Sequence, residues 1–171
     1  MIDISVDARQ IVRMADRFVA MRPLITRAIH QGVQETGNRT LTQVRRALKS
    51  QTGALLYRSI IKRTAGYSDA PARYVIKATG FPMPIILFSV KGASNGVVAA
   101  PWSTSRVFKN SFVTPSGAYM ARRGKDRMPI RRLFGPNMAR ELGRDQSHSA
   151  FVETTQRLLI PTILRRLARV M

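Results

Sequence analysis

The chain has 171 residues, 44% of them hydrophobic, which is enough for one domain with a buried core and excludes a chain that is disordered by composition. Its 29 lysines and arginines against 9 acidic residues give a formal charge of +20, and arginine outnumbers lysine by 23 to 6. Such a charge predicts a polyanion or an acidic protein surface as the partner, and composition alone does not choose between them. The absence of cysteine excludes disulfides, thiolate metal sites and thiol nucleophiles.

The chain carries no pattern typical of export or of a membrane span. Its first residues, MIDISVDARQ, include acidic side chains where a secretory signal has a basic region and an apolar core. The most apolar run, FPMPIILF at 81–88, is far shorter than the roughly 20 residues that cross a bilayer. The sequence therefore predicts a soluble protein that is made in the cytosol.

Helical periodicity dominates residues 7–63. Apolar side chains recur at helical spacing over 7–21, and Asp7 is a suitable N-cap for this helix. Pro23 favours the start of a second helix, which keeps its apolar period to about residue 50. The pair Gly37-Asn38 interrupts this period and leaves two alternatives open, one long helix or a helix that ends or kinks there. A further short helical piece completes the region.

The middle of the chain, residues 72–134, changes to runs of β-branched and aromatic residues separated by turn residues. The predicted strands are 73–78, 85–90, 97–100, 106–113, 118–123 and 128–133. A final helix is predicted over 148–171, bent at Pro161 because proline lacks the N–H that would bond to residue 157. The fold class expected for residues 1–171 is a single α+β domain with N-terminal helices, a small antiparallel sheet or partly open barrel, and a C-terminal helix.

Few side chains are suited to catalysis. His30 and His148 lie far apart, and no segment has the spacing of three metal ligands or of a phosphate-binding glycine loop. Asp69 is the only acidic residue between Glu35 and Asp126, so paired catalytic carboxylates would have to come from distant parts of the chain. We therefore expect no catalytic, cofactor-binding or metal-binding residues, no cofactor, and a protein that is not an enzyme.

The densest basic cluster lies within residues 122–132. A solvated surface explains any single pair of charges, but a net charge of roughly 2 to 8 is sufficient for solubility in a small domain. The excess therefore favours a binding surface. Aromatic residues are few and not interleaved with the basic runs, and no helix-turn-helix or zinc finger is present. If DNA is the partner, we expect contacts to phosphate rather than to bases.

A short apolar segment runs through this cluster in RMPIRRLFGPNM. Its pattern Arg-x-Pro-Ile-x-x-Leu-x-Gly-Pro resembles the late-strand motif of phage tail-completion and neck proteins of the minor tail protein Z type. The order of parts, an arginine-rich helical region, hairpins and a basic final helix, is also similar. Many members have Ser after Gly-Pro where this chain has Asn137, and both can accept a following backbone N–H. The matched residues are Arg127, Pro129, Ile130, Leu133, Gly135 and Pro136.

The resemblance implies a structural virion protein at the top of a long phage tail, which completes the tail so that it can join a DNA-filled head. It implies a homo-oligomer, with a ring expected, among other phage neck and tail proteins, no membrane, and location in the virion after synthesis in the host cytoplasm. The apolar segment would be a strand packed on the core, and Gly135-Pro136 would turn the chain toward the final helix. The arginines would face an acidic subunit or DNA phosphate: Arg122, Arg123, Arg127, Arg131 and Arg132.

Two alternatives belong to other classes of protein. A cellular protein that binds nucleic acid without sequence preference would have tight binding to free nucleic acid as its main activity. A phage nuclease or processing factor would need a cluster of acidic metal ligands, which the sequence lacks.

Overall fold

The computed structural model describes the backbone of residues 9–170 and the side chains of residues 19 and 21–170. Residues Arg9–Thr52 form one helix, α1, of 44 residues that contains Pro23. The prediction of a second helix beginning at Pro23 is therefore wrong, and of the two alternatives at Gly37-Asn38 the structure has the helix continuing. One missing N–H at Pro23 removes one bond of the helical ladder, while the turns on both sides continue. The predicted N-cap Asp7 lies outside the described residues.

Gly37 is a packing position and not a helix end. A Cβ atom built on Gly37 would lie 2.2 Å from Cγ of Tyr74, so only glycine allows this ring to rest on the helix backbone. The hydroxyl of Tyr74 donates a 2.7 Å hydrogen bond to Oδ1 of Asn38. Burial raises the pKa of Tyr74, which keeps the phenol protonated as a donor. The residue pair that the sequence presents as a helix breaker is thus the place where the sheet region docks on α1.

A short helix, α2 at Tyr57–Ile61, follows α1 and leads into an antiparallel hairpin. Its strands are β1 at Thr64–Ala70 and β2 at Arg73–Ala78. The prediction of β2 is confirmed, whereas β1 was not predicted because its sequence, TAGYSDA, lacks a run of β-branched residues. Arg45 fixes this hairpin to α1, since its guanidinium donates to the side chain and the carbonyl of Thr64 at 2.8 and 2.7 Å.

Residues 85–90 do not form the predicted strand. Ile85–Leu87 make a 3₁₀ turn whose backbone bonds go to two separate segments: the N–H of Ile85 donates to the carbonyl of Leu133, and the N–H of Leu55 donates to the carbonyl of Leu87. Ile85 and Phe88 are both buried in the core. This apolar run therefore packs into the core as a turn. A short apolar run in the sequence does not distinguish such a buried turn from a buried strand.

The remaining strands form three small antiparallel sheets, so that four small sheets replace the single predicted one. The first sheet pairs β3 with β10, and two three-stranded sheets have the orders β4-β5-β6 and β7-β8-β9. Their bounds are β3 Pro82–Pro84, β4 Val90–Ala93, β5 Gly96–Ala99, β6 Arg106–Lys109, β7 Ser111–Val113, β8 Tyr119–Arg122, β9 Ile130–Arg132 and β10 Phe134–Asn137. Helices flank antiparallel sheets, and the predicted α+β class is confirmed.

Two helices end the chain, α3 at Met138–Leu142 and α4 at Asp145–Leu167. The helix α4 begins three residues before the predicted start and continues through Pro161. It runs antiparallel to α1, because the N–H of Ser147 donates to Gln51 at one end and Ile163 lies against Gly32 at the other. No helix in the described part of the chain is both long and apolar enough to cross a membrane.

The core lies between α1 and the sheets. Its buried side chains come from α1, α2, β3, α3 and the connecting segments at 85–88 and 133, namely Val44, Leu48, Ile60, Met83, Ile85, Phe88, Leu133 and Met138. Buried contacts of this kind usually contribute most of the stability of a domain, because each removes apolar area from water.

The contact between Tyr74 and Gly37 predicts that the effect of Gly37→Ala on stability changes sign when Tyr74 is absent. We expect Gly37→Ala to destabilise the protein by about 1–3 kcal/mol through overpacking, more than the roughly 1 kcal/mol that alanine gains over glycine in a helix. In a Tyr74→Ala background the clash is absent, so the same change should stabilise the protein. Urea unfolding of the four proteins measures both effects. Destabilisation by Gly37→Ala in both backgrounds would contradict the docking contact.

A candidate interaction surface on the β8–β9 hairpin

Strands β8 and β9 form a hairpin whose connection projects into solvent. Arg122 pairs with Ile130 in the antiparallel register, and the N–H of Arg123 donates to the carbonyl of Pro129 at 3.1 Å. Every residue from 122 to 129 is exposed. The hairpin therefore presents a continuous surface, called here the basic hairpin and defined as residues 122–132.

All five arginines that the sequence singled out belong to the basic hairpin, and all are exposed. Arg122 ends β8, Arg131 and Arg132 lie on β9, and the other two, Arg123 and Arg127, lie in the connection. The strand predicted at 128–133 begins only at Ile130, so Arg127 lies outside it and shares no strand face with Arg131. Arg131 and Arg132 are exposed although consecutive strand residues point to opposite faces, so both faces of β9 are open to solvent at this point.

The apolar segment of the hairpin is only partly a core strand. Leu133 is 5% exposed and packs in the core, and Ile130 is half-buried, as predicted for inward-facing residues. Met128 is 65% exposed and Phe134 is 48% exposed, so the prediction that the segment packs inward is wrong for these two. Exposed apolar side chains thus lie immediately beside the exposed arginines.

The Gly-Pro end of the motif is a strand and not the predicted turn. Residues Phe134–Asn137 form β10, and the chain enters α3 directly afterwards. Gly135 is required because a Cβ atom there would lie 2.6 Å from the ring of Phe88, and Pro136 is buried. The side chain of Asn137 accepts the N–H of Ala139 at 3.0 Å and caps α3, which confirms that asparagine fulfils the capping role at this position.

The motif therefore divides into two parts with different surroundings. Leu133, Gly135 and Pro136 lie against the core, and the carbonyl of Leu133 accepts the N–H of Ile85. Pro129 and the arginines remain in solvent. The buried end fixes the position of β9 and β10, and the exposed end is free to bind another molecule.

Six carboxylates have described side chains, and one of them, Asp126, lies in the connection of the basic hairpin, where it offsets one of the hairpin's positive charges. Glu35 accepts hydrogen bonds from Arg39, Arg165 and Arg166 at 2.8 to 2.9 Å, across the α1–α4 contact. Asp69 lies 3.5 Å from Arg73, its partner within the β1–β2 hairpin. Among the described residues, no carboxylate forms an ion pair with any of the five hairpin arginines.

Glu141 is a second carboxylate enclosed by the fold. It is 7% exposed and accepts the indole N–H of Trp102 at 3.1 Å and the side-chain amide of Gln51 at 2.8 Å. Its backbone carbonyl also accepts the hydroxyl of Ser147. This cluster joins α1, the turn at Trp102, α3 and α4. Sequence spacing offered no signal for it because the two side chains that bond to the Glu141 carboxylate, Trp102 and Gln51, are 39 and 90 residues away from it.

The two histidines do not come together. His30 is half-buried on α1, and His148 is exposed near the start of α4. Within the described residues, no group of three or more His, Asp or Glu side chains is placed to hold a metal ion. Comparison of the chain with protein-family models, with curated proteins and with solved structures finds no match.

The Glu35 cluster predicts a pH dependence of stability. Hydrogen bonding from Arg166, with the charge of Arg165, holds the pKa of Glu35 below its ordinary value, although burial acts in the opposite direction. A carboxyl group with a depressed folded pKa stabilises the protein above its unfolded pKa of roughly 4.3, and this contribution is lost as the pH falls through the folded value.

We therefore expect Glu35→Gln to lower stability by about 1 kcal/mol at pH 7, as is typical of a partly exposed ion-pair network. The difference from the wild type should shrink as the pH falls below the unfolded value of roughly 4.3 and disappear below the depressed pKa of the folded protein, where Glu35 is protonated in both states. Thermal melts from pH 3 to 7 measure it, with Glu153→Gln as a control for an exposed glutamate on α4. A stability difference between the wild type and Glu35→Gln that is the same at pH 3 and pH 7 would contradict the lowered pKa of Glu35.

Proposed function

We propose that the chain is a structural virion protein of a long-tailed phage, which completes the top of the tail and helps join it to the DNA-filled head as a ring subunit. The resemblance of residues 127–136 to the motif of tail-completion and neck proteins motivates the class. The arrangement of the basic hairpin supports an assembly role within it.

The observation that carries the proposal is the exposure of five hairpin arginines without a carboxylate partner among the described residues. Their counter-charge has to be supplied by another molecule or by solvent ions. Met128 and Phe134, both largely exposed, accompany them. Arginine, methionine and aromatic residues are the types enriched in protein interfaces, so this composition favours a surface that is covered in an assembly.

Charge also bears on when the subunit assembles. A subunit with a formal charge of +20 repels its own copies, whereas a ring requires one surface to meet a different surface of the next copy. Strands β6 and β9 each lie at one edge of their sheets and carry Arg106, Lys109, Arg131 and Arg132. Basic residues on an edge strand oppose pairing with another edge. We infer that an acidic subunit or DNA has to be present before copies come together.

A nucleic-acid-binding cellular protein remains the second candidate, because the same unpaired arginines would suit phosphate contacts without sequence preference. The two candidates differ in what the arginines are for. A virion subunit fails in assembly when they are removed, even where free DNA binding changes little.

Replacement of Arg127 and Arg131 by glutamine tests the proposal. Loss of exposed charges usually changes stability by less than ~0.5 kcal/mol, whereas loss of one half of a desolvated interfacial charge pair costs about 2–5 kcal/mol of binding. We expect a folded, soluble double variant that fails to produce head-joined tails in a phage lacking the wild-type gene, counted by electron microscopy. Arg46→Gln with Arg157→Gln removes the same charge from exposed positions on α1 and α4 and should leave the particle yield unchanged.

A normal particle yield from the Arg127 and Arg131 variant would mean that the basic hairpin is only a solvated surface. A large fall in its melting temperature would mean that the arginines stabilise the fold itself. Equal loss of particles in the hairpin and control variants would mean that total charge, rather than this surface, is required.

A further inference from the structure

A second group of cationic and polar side chains lies beside the basic hairpin, in a cleft of about 470 Å³. Its walls come from the β4–β5 turn, the corner between β6 and β7, and the end of β8. We name it the Lys109–Arg122 cleft, defined by Ser94, Asn95, Gly96, Lys109, Asn110 and Arg122. Of these residues, the sequence analysis identified only Arg122 as a candidate for binding.

Strand register creates this cleft from residues that are distant in the chain. Gly96 pairs with Lys109, and the N–H of Arg122 donates to the carbonyl of Asn110 at 2.9 Å. The hydroxyl of Ser111 accepts the N–H of Val97 at 2.8 Å, which ties the corner to β5. Gly96 is needed here, because a Cβ atom would lie 2.3 Å from the carbonyl oxygen of Phe108. The backbone around the cleft is therefore held from several directions.

The side chains that line the cleft form a set of hydrogen-bond donors. Lys109 and Arg122 contribute positive charge, Asn95 and Asn110 contribute amide groups, and Ser94 contributes a hydroxyl. None of these five side chains makes a hydrogen bond or an ion pair within the described part of the chain. No carboxylate is among the residues that line the cleft. Such a set matches an anion that offers several acceptor oxygens.

Arg122 is also restrained in its position. Its guanidinium carbon lies 5.2 Å from the centroid of the Phe112 ring, a geometry in which the ring face attracts the cation. The planar guanidinium donates in a fixed fork, which fits the oxygens of a phosphate group. A restrained arginine loses less conformational freedom on binding than a free one.

We propose that the Lys109–Arg122 cleft binds a phosphate group, supplied either by a nucleic-acid backbone or as the free anion. This phosphate site deepens the proposed function. It rests on that function in one respect, which is that DNA is the natural source of the phosphate group.

Titration with inorganic phosphate, followed in ¹H–¹⁵N spectra of the isolated protein, tests binding directly. We expect the backbone amide of Gly96 and the side-chain amide of Asn95 to shift more than the amides near other basic residues.

Asn110→Gly is the decisive variant, because it removes a donor without changing the net charge. Asn110 has φ 55°, which glycine adopts without strain, so this variant should fold. We expect phosphate affinity to fall by about three- to tenfold, as for loss of one hydrogen bond of average net strength.

Ser103→Gly is a matched control, because Ser103 has φ 55° and an exposed side chain outside the cleft. It should leave phosphate affinity unchanged. Shifts spread evenly over the basic surface, or an Asn110→Gly variant that binds phosphate as tightly as the wild type, would overturn the proposal. A melt of each variant confirms that a loss of affinity does not come from unfolding.

The salt dependence of duplex DNA binding separates the two sources of phosphate. Loss of one phosphate contact reduces the slope of log K against log salt by about 1. We expect this reduction in the double variant that carries Lys109→Gln and Arg122→Gln. The control double variant that carries Arg46→Gln and Arg157→Gln should keep the slope of the wild type. An unchanged slope together with local shifts would assign the cleft to free phosphate. No local shifts with phosphate, together with an unchanged salt slope, would overturn the proposal that the cleft binds phosphate. The proposed role in tail completion is tested separately by particle counts and would be unaffected.

Discussion

The docking of Tyr74 on the backbone of α1 is the contact on which the position of the β1–β2 hairpin depends. The ring occupies the space that a side chain at Gly37 would fill, and a Cβ atom at Gly66 on β1 would lie 2.5 Å from the same tyrosine hydroxyl. Two glycines thus allow one aromatic side chain to fix the β1–β2 hairpin against the helix. Because α4 packs on the same part of α1, through Ile163 at Gly32, the long helix forms the common base for both the sheets and the last helix.

Sequence periodicity predicted those helices and strands whose structure follows from their own residues. Where contacts with distant residues determine the structure, the sequence did not predict it. RYVIKA gave β2 correctly, and the apolar period gave α4 to within three residues at its start. Gly37 was taken as a breaker because a sequence does not show that an aromatic ring 37 residues later needs its space. The run at 85–90 was taken as a strand because burial, and not strand pairing, makes it apolar. At the candidate site, the arginines were predictable from their density, whereas Lys109 and Asn110 join Arg122 only through strand register.

The arginines of this chain serve two physically different purposes. Arg45, Arg165 and Arg166 bond to groups of the same chain and hold α1 to β1 and α4. Those of the basic hairpin have no such bond within the described residues and remain in water. Glu35 and Glu141, enclosed by arginines or by Gln51 and Trp102, are not free to neutralise them. Part of the unbalanced charge therefore lies on the exposed basic hairpin, which is the arrangement expected of a surface completed by a partner.

Lysine labelling tests this account most directly, because Lys125 lies in the exposed connection of the basic hairpin. Amine-reactive labelling, quantified by mass spectrometry, compares its reactivity in the free subunit and in intact particles. Lys62, exposed after α2 and outside both the hairpin and the Lys109–Arg122 cleft, provides an internal reference. If the basic hairpin is an assembly surface, Lys125 should be reactive in the free subunit and protected in the particle, more strongly than Lys62. Equal reactivity of Lys125 in both states would contradict it.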